Sequence, residues 1–309
     1  MRGDEILERI KEEMRKAVVG YEEIVEMMTV ALVAEGHIML VGIPGVAKTT
    51  LAKSFSKVTG LEFSRIQLTP DLLPADIIGT VYFSMREGEF RIKKGPIFAN
   101  VVLVDEINRA TPKTQSALLE AMQERQVTIE GNTMRLPEPF LVIATRNPVE
   151  LEGVYKLPEA QLDRFMISMR MHYLDEEEEF RMLKKKDADD FEELNQRISA
   201  EELRLAIQKA REVRIRDEVL RYLHRIVRLT RVDERVLLGA SPRAAEHLLR
   251  ASKALAFLRG RDYVIPDDIK ETCIPVLSHR IILQPEYEYD GVRADDVLRG
   301  ILNKVEVPV

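Results

Sequence analysis

A glycine-rich turn between an apolar segment and a helical segment constrains this chain more than any other feature. Residues 37–41 form an apolar run typical of a buried strand, and residues 50–55 have a helical pattern. The backbone N–H groups of such a loop can surround phosphate groups, aided by the positive end of the helix dipole. Lys48 would reach the β- and γ-phosphates, and the Thr49 hydroxyl would bind Mg²⁺. The residues expected to bind nucleotide here are Gly42, Pro44, Gly45, Val46, Ala47, Lys48, Thr49 and Thr50.

One residue of this loop departs from the usual phosphate-binding pattern. Ala47 stands where a glycine normally precedes the lysine. Alanine adds only a methyl group, so the loop can still form. The alternative is a simple Gly/Pro turn between a strand and a helix, and segments further along the chain must decide between the two.

The second strong signal is an apolar strand that ends in two carboxylates. Residues 101–104 are branched apolar residues, as in a strand buried on both faces of a parallel sheet. Asp105 and Glu106 follow, at the edge where open α/β sheets bind ligands. Asp105 is expected to hold Mg²⁺, and Glu106 to polarise an attacking water. Alternatively, the two acids only cap the next turn.

A third apolar run, at residues 140–145, ends just before Asn147. In a parallel sheet this position brings Asn147 to the same edge as Lys48 and Asp105. An amide at that edge can orient a water against the terminal phosphate. A turn before Pro148 is the alternative explanation for the asparagine.

Two helices are predicted before the loop, over residues 2–18 and from about Tyr21, because their apolar residues recur at helical spacing. Val19 and Gly20 lie between these helices, in an apolar turn that could line an adenine pocket. A plain turn between two helices is the alternative.

Two β-hairpins are also predicted. The first covers residues 79–93 and is either a surface hairpin or a ligand contact. The second is expected to turn about Gly131 and Asn132. That register pairs Ile129 with Met134.

After residue 174 no further buried strand is predicted. Residues 175–186 run from acidic to basic, which is the polarity that a helix dipole favours, and residues 187–195 are polar like a linker. The rest of the chain is helical. The predicted helices cover residues 200–212, 216–231, 241–259 and 266–279.

Arg243 occupies an unusual place at the start of the third of these helices. Ser241 is the expected N-cap and Pro242 the first helical residue. The helix dipole disfavours a cation at this end. An anionic ligand would offset that cost, and so would a nearby acidic side chain.

Composition narrows the functional classes. The 309 residues carry a formal net charge of -6, which makes a general attraction to nucleic acid unfavourable. Cys273 is the single cysteine, so neither an intrachain disulfide nor a cysteine metal site is expected. No apolar run approaches membrane-span length and no secretory pattern is present, so a cytoplasmic protein without membrane insertion is expected.

Longer motifs carry a family resemblance that spans nearly the whole chain. Residues 105–110 followed by 112–124 resemble the signature of MoxR-type AAA+ ATPases. Arg146 is a departure, since relatives commonly have glutamine there. The other segments similar to motifs of that family are residues 42–49 with Ala47 included, 157–165 and 241–243.

The resemblance implies an α/β fold: an AAA+ P-loop NTPase core with a parallel sheet flanked by helices and two β-hairpin insertions, followed by an all-helical lid. The implied boundaries are residues 1–174 for the core, 175–198 for a linker and 199–309 for the lid. The hairpin near 79–93 would be the helix-2 insert, and that at 126–136 the insertion before sensor 1.

The family resemblance also implies roles in ATP hydrolysis for individual residues. Arg243 is expected to reach the nucleotide from the lid of its own subunit, whereas Arg164 would act on that of a neighbour. A local salt bridge of Arg164 with Asp163 or Glu159 is the alternative. The implied roles are Lys48 and Thr49 in Walker A, Asp105 and Glu106 in Walker B, Asn147 as sensor 1, Arg164 as the arginine finger and Arg243 as sensor 2.

The family further implies a ring homo-oligomer, usually a hexamer, that remodels a protein client, often with a von Willebrand factor A-domain partner. We therefore expect a Mg²⁺-dependent ATPase that forms ADP and phosphate. A nucleic-acid-stimulated motor is one alternative, kept open by Arg91, Lys93 and Lys94. The other is a scaffold that binds ATP with negligible turnover, against which Glu106 argues.

Overall fold

The structure is a computed structural model that describes residues 2–148, 155, 157–187 and 193–308. Up to residue 187 strands alternate with helices, a pattern that produces a parallel sheet covered by helices. The elements of this part are α1 (Gly3–Ala17), α2 (Glu22–Val33), β1 (Ile38–Gly42), α3 (Lys48–Thr59), β2 (Phe63–Gln67), α4 (Pro74–Ile78), β3 (Gly79–Ser84), β4 (Glu89–Lys94), β5 (Val101–Asp105), α5 (Pro112–Glu124), β6 (Gln126–Ile129), β7 (Asn132–Arg135), β8 (Leu141–Arg146), α6 (Glu159–Leu162), β9 (Ile167–Met171) and α7 (Glu176–Asp187).

Five strands form one sheet in the order β2-β5-β8-β1-β9. Each neighbouring pair is parallel, which confirms the predicted α/β fold class. Every residue of β5 is buried, because apolar cores lie on both faces. Val101 and Leu103 belong to one core, whereas Val102 and Val104 belong to the other.

Helices anchor the sheet on both sides. The core on one face includes Ile6 of α1, Met28 of α2 and Leu51 of α3. The core on the other face includes Leu118 of α5 and Val127 of β6. The loop between β1 and α3 is therefore held between two elements that are themselves fixed in the core.

Both predicted hairpins are present, as the pairs β3–β4 and β6–β7. The turn of the second lies one residue earlier than predicted, so Ile129 pairs with Asn132 and not with Met134. Glu130 and Gly131 have φ angles of 45° and 81°, the two left-handed residues that a type I′ turn requires. Glutamate accepts this conformation here, which the sequence pattern does not suggest.

The C-terminal part is helical, and the four predicted helices are present. The structure adds a short antiparallel strand pair and two further helices that the sequence did not predict. None of the described helices is both long and apolar enough to cross a membrane. The elements are α8 (Ala200–Glu212), α9 (Asp217–Thr230), β10 (Val236–Leu238), α10 (Pro242–Leu258), α11 (Pro266–Leu277), β11 (Ile282–Leu283), α12 (Pro285–Tyr289) and α13 (Ala294–Lys304).

These helices share a core with the first part of the chain. Leu203, Leu248 and Ile301 belong to the same apolar cluster as α1, α2 and α3. The segment before α8 is also tied down, because the buried carboxylate of Glu13 in α1 accepts a hydrogen bond from the Asn195 N–H at 2.8 Å. The implied division at residues 174 and 198 stays a prediction.

Candidate active site

The predicted phosphate loop connects β1 to α3, and its backbone explains the departure at Ala47. Gly45 has a φ of 90°, a conformation that favours glycine. Ala47 lies in the left-handed region at φ 56° and ψ 21°, immediately before the first residue of α3. Glycine is the usual residue at such a position because a Cβ is strained there. Alanine is accommodated, so the departure does not prevent the loop from forming.

Lys48 begins α3 and its side chain turns back over the loop. The Lys48 Nζ donates a hydrogen bond of 2.6 Å to the Gly42 carbonyl. The first turn of α3 contains no acidic residue. The positive end of the helix dipole is therefore not neutralised from within the helix, and it adds to the charge of Lys48.

Asp105 and Glu106 lie where β5 ends, and neighbouring strands hold their carboxylates. Asp105 is buried and accepts hydrogen bonds from Arg65 Nε at 2.7 Å and Thr145 Oγ1 at 3.1 Å. Glu106 accepts one from Gln67 Nε2 at 2.8 Å. The Glu106 N–H donates to the same Thr145 hydroxyl at 2.9 Å, so one side chain of β8 joins both acids.

Asn147 directly follows β8 and is buried, as the sequence predicts for a residue at this edge. Because β8 lies between β5 and β1 in the sheet, Asn147 is brought between the two acids and the phosphate loop. Lys48, Asp105, Glu106 and Asn147 thus share what we call the carboxyl edge, where β1, β5 and β8 end.

Three further residues of the carboxyl edge were not predicted from the sequence: Arg65, Gln67 and Thr145. Arg65 and Gln67 are two residues apart on β2 and therefore on the same face of that strand. The sequence did contain a signal for these two residues. They are polar, they alternate near a strand end, and their strand lies beside the one that carries the two acids. Thr145 gave a weaker signal, as one polar residue at the end of an apolar run.

Val19 and Gly20 also lie at this end of the molecule. They line a cavity of about 800 Å³ between the start of α2 and α7. The next residue, Tyr21, donates its hydroxyl to the His172 carbonyl at 3.1 Å, just after β9 ends. Since β9 is the parallel neighbour of β1, the cavity adjoins the carboxyl edge.

Arg164 and Arg243 are at the opposite end of the sheet. Both line a cavity of about 190 Å³ together with Gly36 and His37, which immediately precede β1. A five-residue strand separates this amino edge from the phosphate loop by about 16 Å. The expected approach of Arg243 to the nucleotide of its own subunit is therefore not what this geometry shows.

This second cavity, which we call the arginine cavity, is strongly cationic. Glu35 is the one acid among its described lining residues, and it already pairs with Arg125 at 2.8 Å. Burial lowers the pKa of His37 to about 4 and that of His247 to about 2, so both rings are neutral at neutral pH. The arginines that line the cavity are Arg125, Arg164, Arg243 and Arg250.

A parallel sheet with a phosphate loop after one strand and an Asp-Glu pair after another defines the P-loop nucleoside triphosphatases. Comparison with family models agrees. The model described as "ATPase family associated with various cellular activities (AAA)" matches residues 37–167, and the AAA lid domain model matches residues 228–301.

Similar proteins and a solved structure extend this match to nearly the whole chain. YeaC of Bacillus subtilis is 44% identical over 305 residues, covering 98% of this chain and 95% of the relative. Chaperone MoxR1 of Mycobacterium tuberculosis is 43% identical and covers 98% and 82%. A crystal structure from Cytophaga hutchinsonii superimposes with a TM-score of 0.93 at 41% identity, covering 99% of this chain and 96% of the other. The chain belongs to the MoxR family of AAA+ ATPases.

Proposed function

We propose that this ATPase binds ATP at the carboxyl edge and hydrolyses it to ADP and phosphate. The observation that carries the proposal is the meeting of Lys48, Asp105, Glu106 and Asn147 at the ends of three adjacent strands. Lys48 and the first turn of α3 supply positive charge to the phosphates. Asn147 is placed to orient the attacking water, and Val19 and Gly20 to contact the base.

Glu106 is the proposed general base. Its backbone is left-handed, with φ 58° and ψ 54°, which turns the residue out of the strand direction of β5. Gln67 holds the carboxylate by a hydrogen bond, and Arg109 pairs with it at 3.1 Å. Glu106 can take a proton from water while these contacts fix its direction.

Asp105 and Thr49 fit a magnesium ion because carboxylate and hydroxyl oxygens are the hard donors that Mg²⁺ prefers. These two residues would hold the ion, and the chemistry it would supply there is positive charge that offsets the charge of the transferred phosphoryl group. The contacts of Asp105 with Arg65 and Thr145 fix the direction of its carboxylate.

The remaining catalytic charge is proposed to come from a neighbouring subunit of a ring homo-oligomer, with a hexamer as the expected form. Arg164 and Arg243 lie at the amino edge, about 16 Å from the loop of their own chain, yet close to one another. A guanidinium supplied across an interface matches the charge of a transferring phosphoryl group. Both arginines are therefore assigned to the interface. The division into a core, a linker and a lid is part of this proposal.

The ring is proposed to remodel a protein client, in keeping with the chaperone name of the MoxR1 relative. A von Willebrand factor A-domain protein is the proposed partner class. A Glu106→Gln ring held in its ATP state should retain such a client in a pull-down. The same ring without ATP is the control, and equal capture in both states would argue against ATP-dependent remodelling.

The hydrolytic part of the proposal is tested by Glu106→Gln. The amide keeps the shape of the side chain but cannot accept a proton, so ATP binding should remain and phosphate release should fall by about 10² or more. Glu120→Gln, an exposed glutamate on α5, is the matched control and should behave as wild type. Near-normal turnover by Glu106→Gln would show that Glu106 is not the base.

A further inference from the structure

The segment that carries Arg164 is held by the C-terminal helices through Asp163. The Ser241 Oγ lies 3.1 and 3.0 Å from the two carboxylate oxygens of Asp163. Arg280 Nε is 2.9 Å from one of these oxygens. Arg243 Nη1 lies 3.9 Å from the other. The residue before the proposed arginine finger is thus joined to the start of α10 and to the residues after α11.

Arg280 holds the backbone of the same segment. Its side chain is 2% exposed. The Nη2 group donates hydrogen bonds to the carbonyls of Asp163 at 3.0 Å and Phe165 at 2.6 Å, and Nη1 lies 3.4 Å from the Met166 carbonyl. Three backbone oxygens close to Arg164 therefore converge on one guanidinium.

Two histidines add contacts to Arg280 and to the backbone that it holds. His279 Nε2 lies 3.0 Å from the Phe165 carbonyl, and His247 Nδ1 contacts Arg280. Burial lowers the pKa of Arg280 to about 10, which leaves the guanidinium charged at neutral pH. Burying a charge is costly unless it is paired and hydrogen-bonded. Here one bond goes to the Val276 carbonyl of α11 at 2.5 Å, and the others go to the segment of Arg164.

The side chain of Arg164 has an unsatisfied donor. Its Nε is buried without a hydrogen-bond partner in the part of the chain that the structure describes. Within the described residues Arg164 forms no salt bridge with Asp163 or Glu159, the two partners of the alternative, and the Asp163 carboxylate pairs with Arg280. Among the described residues, the contacts that position Arg164 are those of its neighbours in sequence, Asp163 and Phe165.

We propose that Asp163, Ser241 and Arg280 form a clamp that fixes Arg164 relative to α10, so that Arg164 and Arg243 reach the neighbouring subunit as one rigid unit. The inference rests on the proposed function, in which these arginines act across an interface. Asp163 and Arg280 are positioning residues, because neither touches the nucleotide. A movement of α10 in one subunit is thereby transmitted to the arginine that it offers to the next.

The test uses rings mixed from two variant chains. A Lys48→Ala chain (the donor) cannot bind ATP but supplies Arg164. An Arg164→Ala chain (the acceptor) binds ATP but supplies no finger. Mixed rings should release phosphate only where an acceptor site meets a donor arginine. The clamp substitution Asp163→Asn removes the charge that pairs with Arg280, and it is placed in one chain type at a time.

Asp163→Asn in the donor should lower phosphate release by the mixture about tenfold or more. In the acceptor, which already lacks its finger, it should change the rate less than twofold. Glu120→Gln, the exposed glutamate on α5, is the control and should have no effect in either chain. A general folding defect would reduce activity from both placements, which sets it apart from a loss of positioning.

A second readout needs no nucleotide. Amide hydrogen exchange at residues 163–166 should speed up in Asp163→Asn, while exchange in residues 42–48 stays the same. If this variant does not fold, Ser241→Ala, which loses the hydroxyl contacts to Asp163 and to the Ala244 N–H that caps α10, should give the same asymmetry with a smaller effect.

Equal loss from both placements, no loss from either, or unchanged exchange at 163–166 would overturn the clamp. Failure of the proposed function gives a different result. In that case donor and acceptor without any clamp substitution would co-assemble and stay inactive, and the clamp inference would fall with it.

Discussion

The two edges of the sheet differ in charge and in how they are built. The carboxyl edge combines a lysine at the start of α3 with two carboxylates and an amide at strand ends. The amino edge gathers Arg125, Arg164, Arg243 and Arg250 around a cavity lined by one described acid, Glu35, with Asp163 beside Arg243. In the proposed function the first edge supplies a base and a metal site, whereas the second supplies guanidinium groups. Neither edge has the complete set that phosphoryl transfer uses.

The largest expected effect separates the two edges by function. Lys48→Ala should abolish ATP binding, because it removes the charge that the loop directs at the phosphates. Arg164→Ala should leave binding within a few-fold and lower turnover by about 10³ or more. Both variants should be tested for equilibrium ATP binding and for phosphate release, measured on the same preparations. Arg299→Ala, an exposed arginine on α13, is the control. Loss of binding in Arg164→Ala would contradict the separation.

A smaller effect is expected from the residue that joins the two acids. Thr145→Val leaves the Asp105 carboxylate and the Glu106 N–H without a shared partner, which costs about 1–3 kcal/mol. We expect kcat to fall about tenfold with little change in KM. Thr145→Ser keeps the hydroxyl and should restore most of the activity. Equal kcat in Thr145→Val and wild type would mean that the bridge has no catalytic role.

The amino edge should also respond to pH. Burial lowers the pKa of His37 to about 4, of His279 to about 3 and of His247 to about 2. Unfolded histidine binds a proton below about pH 6.5 and these native rings do not, so stability is complete above that pH and is lost as the pH falls.

Each of these three histidines should lower the free energy of unfolding by about 1.4 kcal/mol per pH unit below pH 6.5, until the pH reaches the pKa of that histidine in the native state. The thermal midpoint should therefore drop between pH 7 and pH 5. His279→Gln should make the drop shallower, whereas His224→Gln, at an exposed position on α9, should not. An identical pH profile for His279→Gln would show that this ring does not contribute.

The smallest expected effect concerns the carboxyl edge alone. Ala47→Gly removes the strain of a left-handed alanine, but it also raises the conformational entropy of the unfolded chain. The net gain in the free energy of unfolding should therefore be about 0.5 kcal/mol. ATP affinity should stay within twofold of wild type. A clear loss of stability would show that the methyl group makes a packing contribution larger than the strain.

The sequence predicted the carboxyl edge well because its geometry follows from local order. Parallel strands end at one edge, so residues just after apolar runs, such as Asp105 and Asn147, are certain to be neighbours once the strands are recognised. The turn at Glu130 was missed because a non-glycine residue adopts the left-handed conformation there.

The amino edge could not be predicted in this way. Ser241 and Asp163 are 78 residues apart, and their contact depends on how α10 packs against the end of α6. For Arg243 the sequence left open an anionic ligand or a nearby acid. The structure supplies an acid, Asp163, at 3.9 Å, and places the pair far from the phosphate loop of the same chain.

In the proposed function, each active site combines the carboxyl edge of one subunit with the amino edge of the next. Lys48→Ala and Arg164→Ala chains, each nearly inactive alone, should be co-assembled at a series of ratios and assayed for phosphate release. We expect activity to return and to be greatest near equal amounts of the two chains. If both chains fold and demonstrably co-assemble, yet the mixture is inactive at every ratio, the active site is not shared between subunits.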